Sequence, residues 1–363
     1  MKKRVVVSVV LVLLLAASIY SQTTRYFVYV TNWVGSTVSA YTINPISGAL
    51  SAVSGSSFRT GTNPWTIAVD PTGKFAYVTN WSDNTVSAYA INSSSGALSA
   101  VGGSPFAAGS NPAGITVDPT GKFAYVVSQG DNAVSAYAIN PSTGALTPVS
   151  GSSIATGSYP TTIAVSPTGK FVYVANNYAN TVSAYTINSS SGTLTTAIGS
   201  PFATGSYPGG VAVDPTGKFV YVTNYGSGNV SAYTINANSG TLSAVGGAPF
   251  NAGTSPWSIA IDPAGKFVYV TNHGISNVSA YTINASTGAL AAVGGSPFPA
   301  GSLPSGVAVD PTGKFVCVAN SYDKDISAYI INTSTGALAA VTGSPFSSGN
   351  DAGGIAIIAV TGP

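Results

Sequence analysis

The chain holds one imidazole, His273, and ten carboxylates, all of them aspartates. An imidazole titrates close to neutral pH, so His273 is the one side chain suited to act as a general base, given a partner and a positioned substrate. Asp323 and Asp351 follow it in sequence, but no spacing ties either to it. Asp323, Asp325 and Asp351 could gather calcium, yet Lys324 opposes a cation there and the run lacks the oxygen-rich spacing of a calcium loop. No metal and no cofactor are expected. There is no Ser-His-Asp order, Cys-His pair or phosphate-cradling glycine loop. Cys317 is the only cysteine, which excludes an intramolecular disulfide. What remains is aromatic: Trp33, Trp65, Trp81 and Trp257, with Tyr159, Tyr207, Tyr225, Tyr178 and Tyr322. Flat rings with a polar edge suit stacking on sugars, and they equally suit protein recognition.

These residues must be held by elements that the chain repeats seven times. Phe27, Phe75, Phe123, Phe171, Phe219, Phe267 and Phe315 are each 48 residues apart and each opens F-x-Y/C-V. A period of this length, made of short apolar runs broken by Gly, Pro and Asn, marks a blade repeat. One unit reads as four strands: Trp65–Val69, Lys74–Val78, Thr85–Ile91 and Ala97–Val101. The turn Asp70-Pro-Thr-Gly73 joins the first two, with Pro and Gly where a type I turn takes them. The fold expected is all-β: a seven-bladed β-propeller of four antiparallel strands per blade. The chain reads into this ring at a second strand (27–30) and leaves it on a lone first strand (353–360). That last strand should complete the N-terminal blade from inside and remove a free edge. Cys317 takes the repeat position held elsewhere by Tyr29, Tyr77, Tyr125, Tyr173, Tyr221 and Tyr269, and reads as a buried space-filler.

In such a blade, first-to-second and third-to-fourth hairpins share one face. Second-to-third loops and blade-to-blade links share the other. The first face repeats Asp70, Asp118, Asp214, Asp262 and Asp310 with six lysines, which read as turn-formers and solvated cations. The second face holds what differs between units: all four Trp, His273, Asp83, Asp131, the run Asp323 to Asp325, Arg59 and Asp351. The candidate ligand-binding residues are therefore Trp33, Trp65, Trp81, Trp257, His273, Tyr159, Tyr207 and Tyr225, around the channel mouth. The alternatives are that the Trp fill gaps between loops, and that His273 is a polar loop residue at a position filled elsewhere by Trp, Gln, Asn, Tyr or Ser.

Lys2, Lys3 and Arg4 followed by the apolar run from Val5 to Ala17 read as a signal peptide, residues 1–21, with the propeller over 22–363. The apolar run is shorter than the roughly 20 residues of a membrane span. The expected location is secreted, periplasmic or cell-surface, with no transmembrane span after cleavage. Beyond the leader, nine Lys and Arg face ten Asp, so nothing basic remains to grip nucleic acid. Charged residues make up 6% of the chain, against about 25% in ordinary domains. Solubility then rests on Ser, Thr, Asn and Gly.

The blocks YVTN (Tyr29–Asn32, Tyr77–Asn80, Tyr221–Asn224, Tyr269–Asn272) and DPTGKF (Asp70–Phe75) resemble the YVTN-type repeat of bacterial and archaeal surface propellers. With SAYTINxxxGxL (Ser39–Leu50 and its copies), they are also similar to the bacterial seven-bladed lactonase-like family. That family includes 6-phosphogluconolactonases and the fungal muconate-lactonising enzyme. The resemblance implies chemistry by His, Arg and Glu in a central cleft. This chain offers one His, no Glu, and past the leader only Arg25 and Arg59, with Arg25 at the repeat position of the DPTG turn, away from that cleft. Two functions of different class are expected. The first is an exported binding or surface-interaction module whose aromatic face takes a glycan or protein, or serves as a cell-wall or surface component. The alternative is a lactonase-family hydrolase acting on a sugar lactone.

Overall fold

A computed structural model describes residues 23–362, and every regular element in them is a β-strand. The leader expected at 1–21 lies outside the described residues. The strands form seven antiparallel sheets, the seven blades of a propeller. Blade 1 contains Thr23–Asn32, Thr37–Ile43 and Leu50–Ala52. Blades 2 to 7 start at Pro64, Pro112, Pro160, Pro208, Pro256 and Pro304. Their innermost strands follow one another around the axis, and Ala352–Gly362 lies between the seventh and the second to close the circle. No helix among the described residues is long and apolar enough to cross a membrane.

Ring closure takes the expected form and goes further than expected. Ala352–Gly362 pairs antiparallel with Thr23–Asn32, from Thr23 opposite Gly362 to Asn32 opposite Ala352. Because the two strands of this blade come from opposite chain ends, no hairpin joins them. Arg25, placed by the repeat at a turn, is therefore in extended strand opposite Val360. It does lie away from the channel mouth.

A second difference concerns the outer strand, expected as one piece. In blade 2, Leu98–Ala100 pairs with one end of Thr85–Ile91. Phe106–Ala107 then pairs with the other end, Val86 opposite Phe106. Between them the chain loops out through Gly102, Gly103 and the cis Ser104–Pro105 peptide. The same split recurs in every blade. The outermost ladder thus ends after three residues, which leaves little free edge for another chain to pair with.

There is no single core. Seven apolar seams lie between adjacent blades, as sheets apolar on both faces require. Each repeated Phe meets a glycine of the next blade. A Cβ on Gly96 would run into the Phe27 ring, and the backbone there is left-handed (φ 77°), so that site excludes side chains twice over. The repeated Tyr hydroxyl donates to the same glycine's carbonyl, as from Tyr221 to Gly288 at 2.9 Å. Among the described residues, Tyr125 has no such partner for its buried hydroxyl. Tyr221→Phe should therefore cost about 1–3 kcal/mol, because it leaves a buried carbonyl unpaired. Tyr125→Phe should be neutral or stabilising. Paired urea unfolding curves would check the contrast; equal losses would dismiss it.

Cys317 is buried in the seam between blades 7 and 1, and burial pushes its thiol up to about 12. A group so protonated is filler, as expected. Ile326, beside it in that seam, stands where the other blades have Val (Val38, Val86), restoring some of the volume lost with the Tyr ring. The repeated Asp form the turns, as expected, and are buried in doing so. Asp214 is 2% exposed, and its carboxylate accepts the backbone N–H groups of Thr216, Lys218 and Phe219. The lysines beside them are exposed, as expected.

Candidate functional site

One backbone hydrogen bond, repeated in all seven blades, builds the channel mouth. The residue after each second strand donates its N–H to the residue leading into that blade's innermost strand. His273 donates to Ser255 (3.0 Å), Tyr225 to Tyr207 (3.0 Å) and Trp33 to Asp351 (2.9 Å). This clamp sets one side chain per blade around the axis: Trp33, Trp81, Gln129, Asn177, Tyr225, His273 and Ser321. The leading-in residues are all left-handed, with φ from 51° at Asn111 to 62° at Asp351. Asn tolerates that conformation most readily. Behind His273, Asn272 ties the loop down: its amide donates to Asn277 (2.7 Å) and Ser279 (2.8 Å), and its carbonyl accepts from Gly253 N–H (3.0 Å).

Glycine recurs on the inner wall for a steric reason. Thr66, Gly114, Thr162, Gly210, Ser258, Gly306 and Gly354 share one repeat position. A Cβ on Gly210 would sit 2.7 Å from the Trp257 carbonyl, and one on Gly114 2.9 Å from that of Thr161. Innermost strands this close leave no space for a side chain at these positions, while Thr66, Thr162 and Ser258 carry small hydroxyls. The indoles above are fixed through their backbones. Thr31 donates to the Trp65 carbonyl (3.1 Å) and Thr223 to that of Trp257 (2.7 Å). Trp257 lies over Gly209, where a Cβ would come within 3.0 Å of the ring. Trp65 packs toward the seam containing Ala113.

Beside these indoles is a cavity of about 340 Å³ lined by Trp33, Trp65 and Trp257, with His273 and Asp351 as its titratable groups and Thr66, Thr162, Ser258, Ser305 and Ser321 as hydroxyls. Its volume is near the low end of the roughly 300–1,000 Å³ of small-molecule sites. Trp33 stands edge-on to Trp65 at 5.2 Å, and Trp65 faces Trp257 across the mouth at 6.4 Å. Burial lowers the pKa of His273 below the ordinary histidine value, and the Asp351 carboxylate pulls it part way back. Burial raises Asp351, opposed by His273 and then Ser321. The Ser321 hydroxyl is donated to the Leu303 carbonyl at 3.0 Å, so the imidazole is the stronger influence on that carboxylate. The two groups line the same cavity, each shifted chiefly by its burial and each pulled part way back by the other. Lys324 lies in an adjoining groove with Asp351, Tyr322 and Val34, flanked in sequence by Asp323 and Asp325.

Of the eight residues singled out from sequence, Trp33, Trp65, Trp257 and His273 line the cavity. Trp81 and Tyr225 stand behind it. Trp81 packs on Trp33 at 5.7 Å and donates its indole N–H to Gln129 at 2.8 Å. Tyr225 meets Trp257 edge-on at 5.8 Å and His273 at 6.3 Å. Tyr159 and Tyr207 are elsewhere, grouped with Tyr178 on blades 4 and 5. Sequence reasoning left out Ser321, Ser258 and Thr162, and weighed Asp351 without placing it in the site. Ser321 shares the repeat position of His273 and could have been found by phase alone. Asp323 and Asp325 are occupied elsewhere: Asp323 accepts the Ser302 N–H (2.7 Å), and Asp325 accepts from Asn320 (2.7 Å).

A family model described as a seven-bladed β-propeller lactonase matches residues 17–161, 105–254 and 247–350. No curated protein matches the chain. Several solved structures share its fold. A candidate 6-phosphogluconolactonase from Bacteroides fragilis aligns with a TM-score of 0.80 at 20% identity, over 92% of this chain and 98% of its own. A second such candidate, from Bacteroides uniformis, gives 0.79 at 21%, over 92% and 99%. The periplasmic gluconolactonase of Pseudomonas aeruginosa gives 0.77 at 18%, over 93% and 100%. At these identities the likeness is one of fold.

Proposed function

Because the chain belongs to the family of seven-bladed β-propeller lactonases, we propose that it hydrolyses the lactone of an uncharged sugar acid. One observation carries this reading: the chain's single imidazole and a carboxylate line one cavity together with three indoles and several hydroxyls. The two functions expected from sequence meet in this site. The stacking surface of a binding module becomes the substrate platform, and family membership favours the hydrolase reading over binding alone.

The mechanism follows from the groups present. The sugar ring stacks on indole, with its hydroxyls toward Ser and Thr. His273, neutral because it is buried, takes a proton from water as that oxygen adds to the lactone carbonyl. The Asp351 charge stabilises the imidazolium so formed. When the ring C–O bond breaks, the imidazolium returns the proton to the leaving ring oxygen. The products are a hydroxyl and a carboxylic acid, with every atom of water accounted for. Among the lining hydroxyls Thr162, Ser305 and Ser321 already donate to backbone carbonyls, which leaves Thr66 and Ser258 as donors for the developing oxyanion.

An uncharged substrate is favoured because no Lys or Arg lines the cavity, and a phosphoryl group would call for a charge-assisted partner. The leader read from the sequence is consistent with a substrate met outside the cytoplasm. The purified chain should open glucono-1,5-lactone above the spontaneous rate and act more slowly on its 6-phosphate. The opposite order would overturn the choice of substrate, and no turnover on a wide lactone panel would overturn the hydrolase. The pH profile has a sign fixed by His273. The base must be unprotonated, and its pKa is lowered, so the acid limb of kcat/KM should fall below the ordinary histidine value of about 6.5. A limb above that value would exclude this imidazole as the base.

A further inference from the structure

On the same face, blades 4 and 5 carry a second aromatic surface that the cavity does not use. Tyr159 and Tyr178 stack at 4.3 Å with their rings 18° apart, and Tyr207 stands edge-on to Tyr178 at 6.3 Å. Tyr178 is 60% exposed and Tyr207 49%. Tyr159 and Tyr207 occupy left-handed positions (φ 57° and 53°) where blades 2 and 3 place Asn63 and Asn111. A ring there has a conformational cost that Asn largely avoids. Packing does not account for it, since Tyr207 is half exposed.

The surface connects to the cavity. The N–H of Tyr225 donates to the Tyr207 carbonyl at 3.0 Å, and the Tyr225 ring stands against Trp257. Gly226 keeps that loop low beneath Tyr207, because a Cβ there would sit 2.6 Å from the ring. The Tyr207 ring thus lies over Gly226, the residue after Tyr225, with Tyr178 beyond it.

The charge pattern selects the occupant. From Asn132 to Ile261 the only charged residues are Lys170, Asp214 and Lys218, and all three belong to first-to-second hairpins on the opposite face. Around the tyrosines are small uncharged polar residues such as Ser158, Asn180 and Ser206. Open tyrosine faces amid hydroxyls and amides, without charge or large aliphatic groups, match a neutral polysaccharide strand.

We infer that these tyrosines are outer subsites for a neutral glycan chain, so that the lactone entering the cavity is the oxidised reducing end of an oligosaccharide. The inference rests on the hydrolase reading for its second half only. The reaction that supplies such a substrate must oxidise a terminal hemiacetal to the lactone without cutting the chain.

The test compares glucono-1,5-lactone with the lactones of cellobionic, maltobionic and longer β- and α-linked aldonic acids. Substrates are given to the full chain and to a Tyr178→Ala/Tyr207→Ala double variant. Both rings are exposed, so the variant should keep the parent melting curve. The expected result is that kcat/KM rises with chain length for one linkage, and that the double variant loses this gain by roughly tenfold, equivalent to about 1.4 kcal/mol. The monosaccharide lactone should be unaffected. Equal rates at all chain lengths, or equal losses on mono- and oligosaccharide lactones, would overturn the inference. If no lactone is turned over, the hydrolase fails separately. The subsites are then tested by calorimetry with neutral hexasaccharides: binding weakened in the double variant supports them, and no binding, or binding unaltered in the variant, removes them.

Discussion

Substitution of His273 by alanine should reduce lactone turnover by roughly 10²–10⁴-fold, the usual worth of a positioned general base. The expectation is sharp because the described residues offer no second imidazole or glutamate, and Asp351 alone is a weak base. Binding should survive. In the proposed complex the substrate would rest on Trp33, Trp65 and Trp257, whose backbones are held by groups other than His273. Quenching of indole fluorescence by substrate should therefore titrate with nearly the parent affinity in His273→Ala. His273→Gln keeps the shape without the basicity and should be equally slow, which separates lost chemistry from a lost contact. Asp351→Asn should be slowed by a smaller factor, and its acid limb should move to lower pH, since the carboxylate raises the imidazole pKa. An Ala variant that retains parental kcat would remove His273 from the reaction and return the cavity to a binding role.

Truncation before Ala352 should abolish the folded state at ordinary temperature. The strand lost has eleven residues, pairs along nearly the whole length of Thr23–Asn32, and contributes Ala352, Ile355 and Ile357 to one seam and Val360 to another. Those seams hold the two sides of blade 1. Their loss exposes apolar surface and a long strand edge together, which favours aggregation. Against a net stability of roughly 5–15 kcal/mol for a folded domain, the loss is large. The truncated chain should be recovered aggregated, or soluble without a cooperative melt. Ala356→Pro removes one ladder N–H opposite Tyr29 and should give a milder loss of about 3 kcal/mol or more. A truncated chain that melts within a few degrees of the parent would show that six blades and an open seventh suffice.

The two results differ in how far the chain announces them. Ring closure was legible because strand identity survives translation along the repeat. A segment matching the first strand, placed after the seventh unit, has one place to pair once the other units are sheets. The split outer strand was not legible, since three residues of β-pattern followed by Gly-Gly-Ser-Pro look like a strand and its exit. The second pairing, Val86 opposite Phe106, arises only when the chain loops back to the same neighbour. Arg25 shows the converse error: the repeat assigned it a turn, but where opposite chain ends supply the two strands there is no turn to make.

The site divides in the same way. Sequence alone determined the sheets, the seven-fold ring, the buried role of Cys317 and the face on which the unrepeated side chains gather. Each depends on repeat position or strand alternation, which are properties of order along the chain. Tertiary structure decided which of those side chains share a cavity. Trp257 reaches over Gly209 of the preceding blade and Trp65 toward Ala113 of the following one, where the neighbour presents no bulk, so a neighbour's side-chain volume sets the lean of each indole. Tyr159 and Tyr207, at the same repeat position as Asn63 and Asn111, form a group of their own through contact with Tyr178. His273 and Asp351 are 78 positions apart with a whole blade between them. They line one cavity because the closing strand brings Asp351 into the ring, where Trp33 N–H holds its carbonyl.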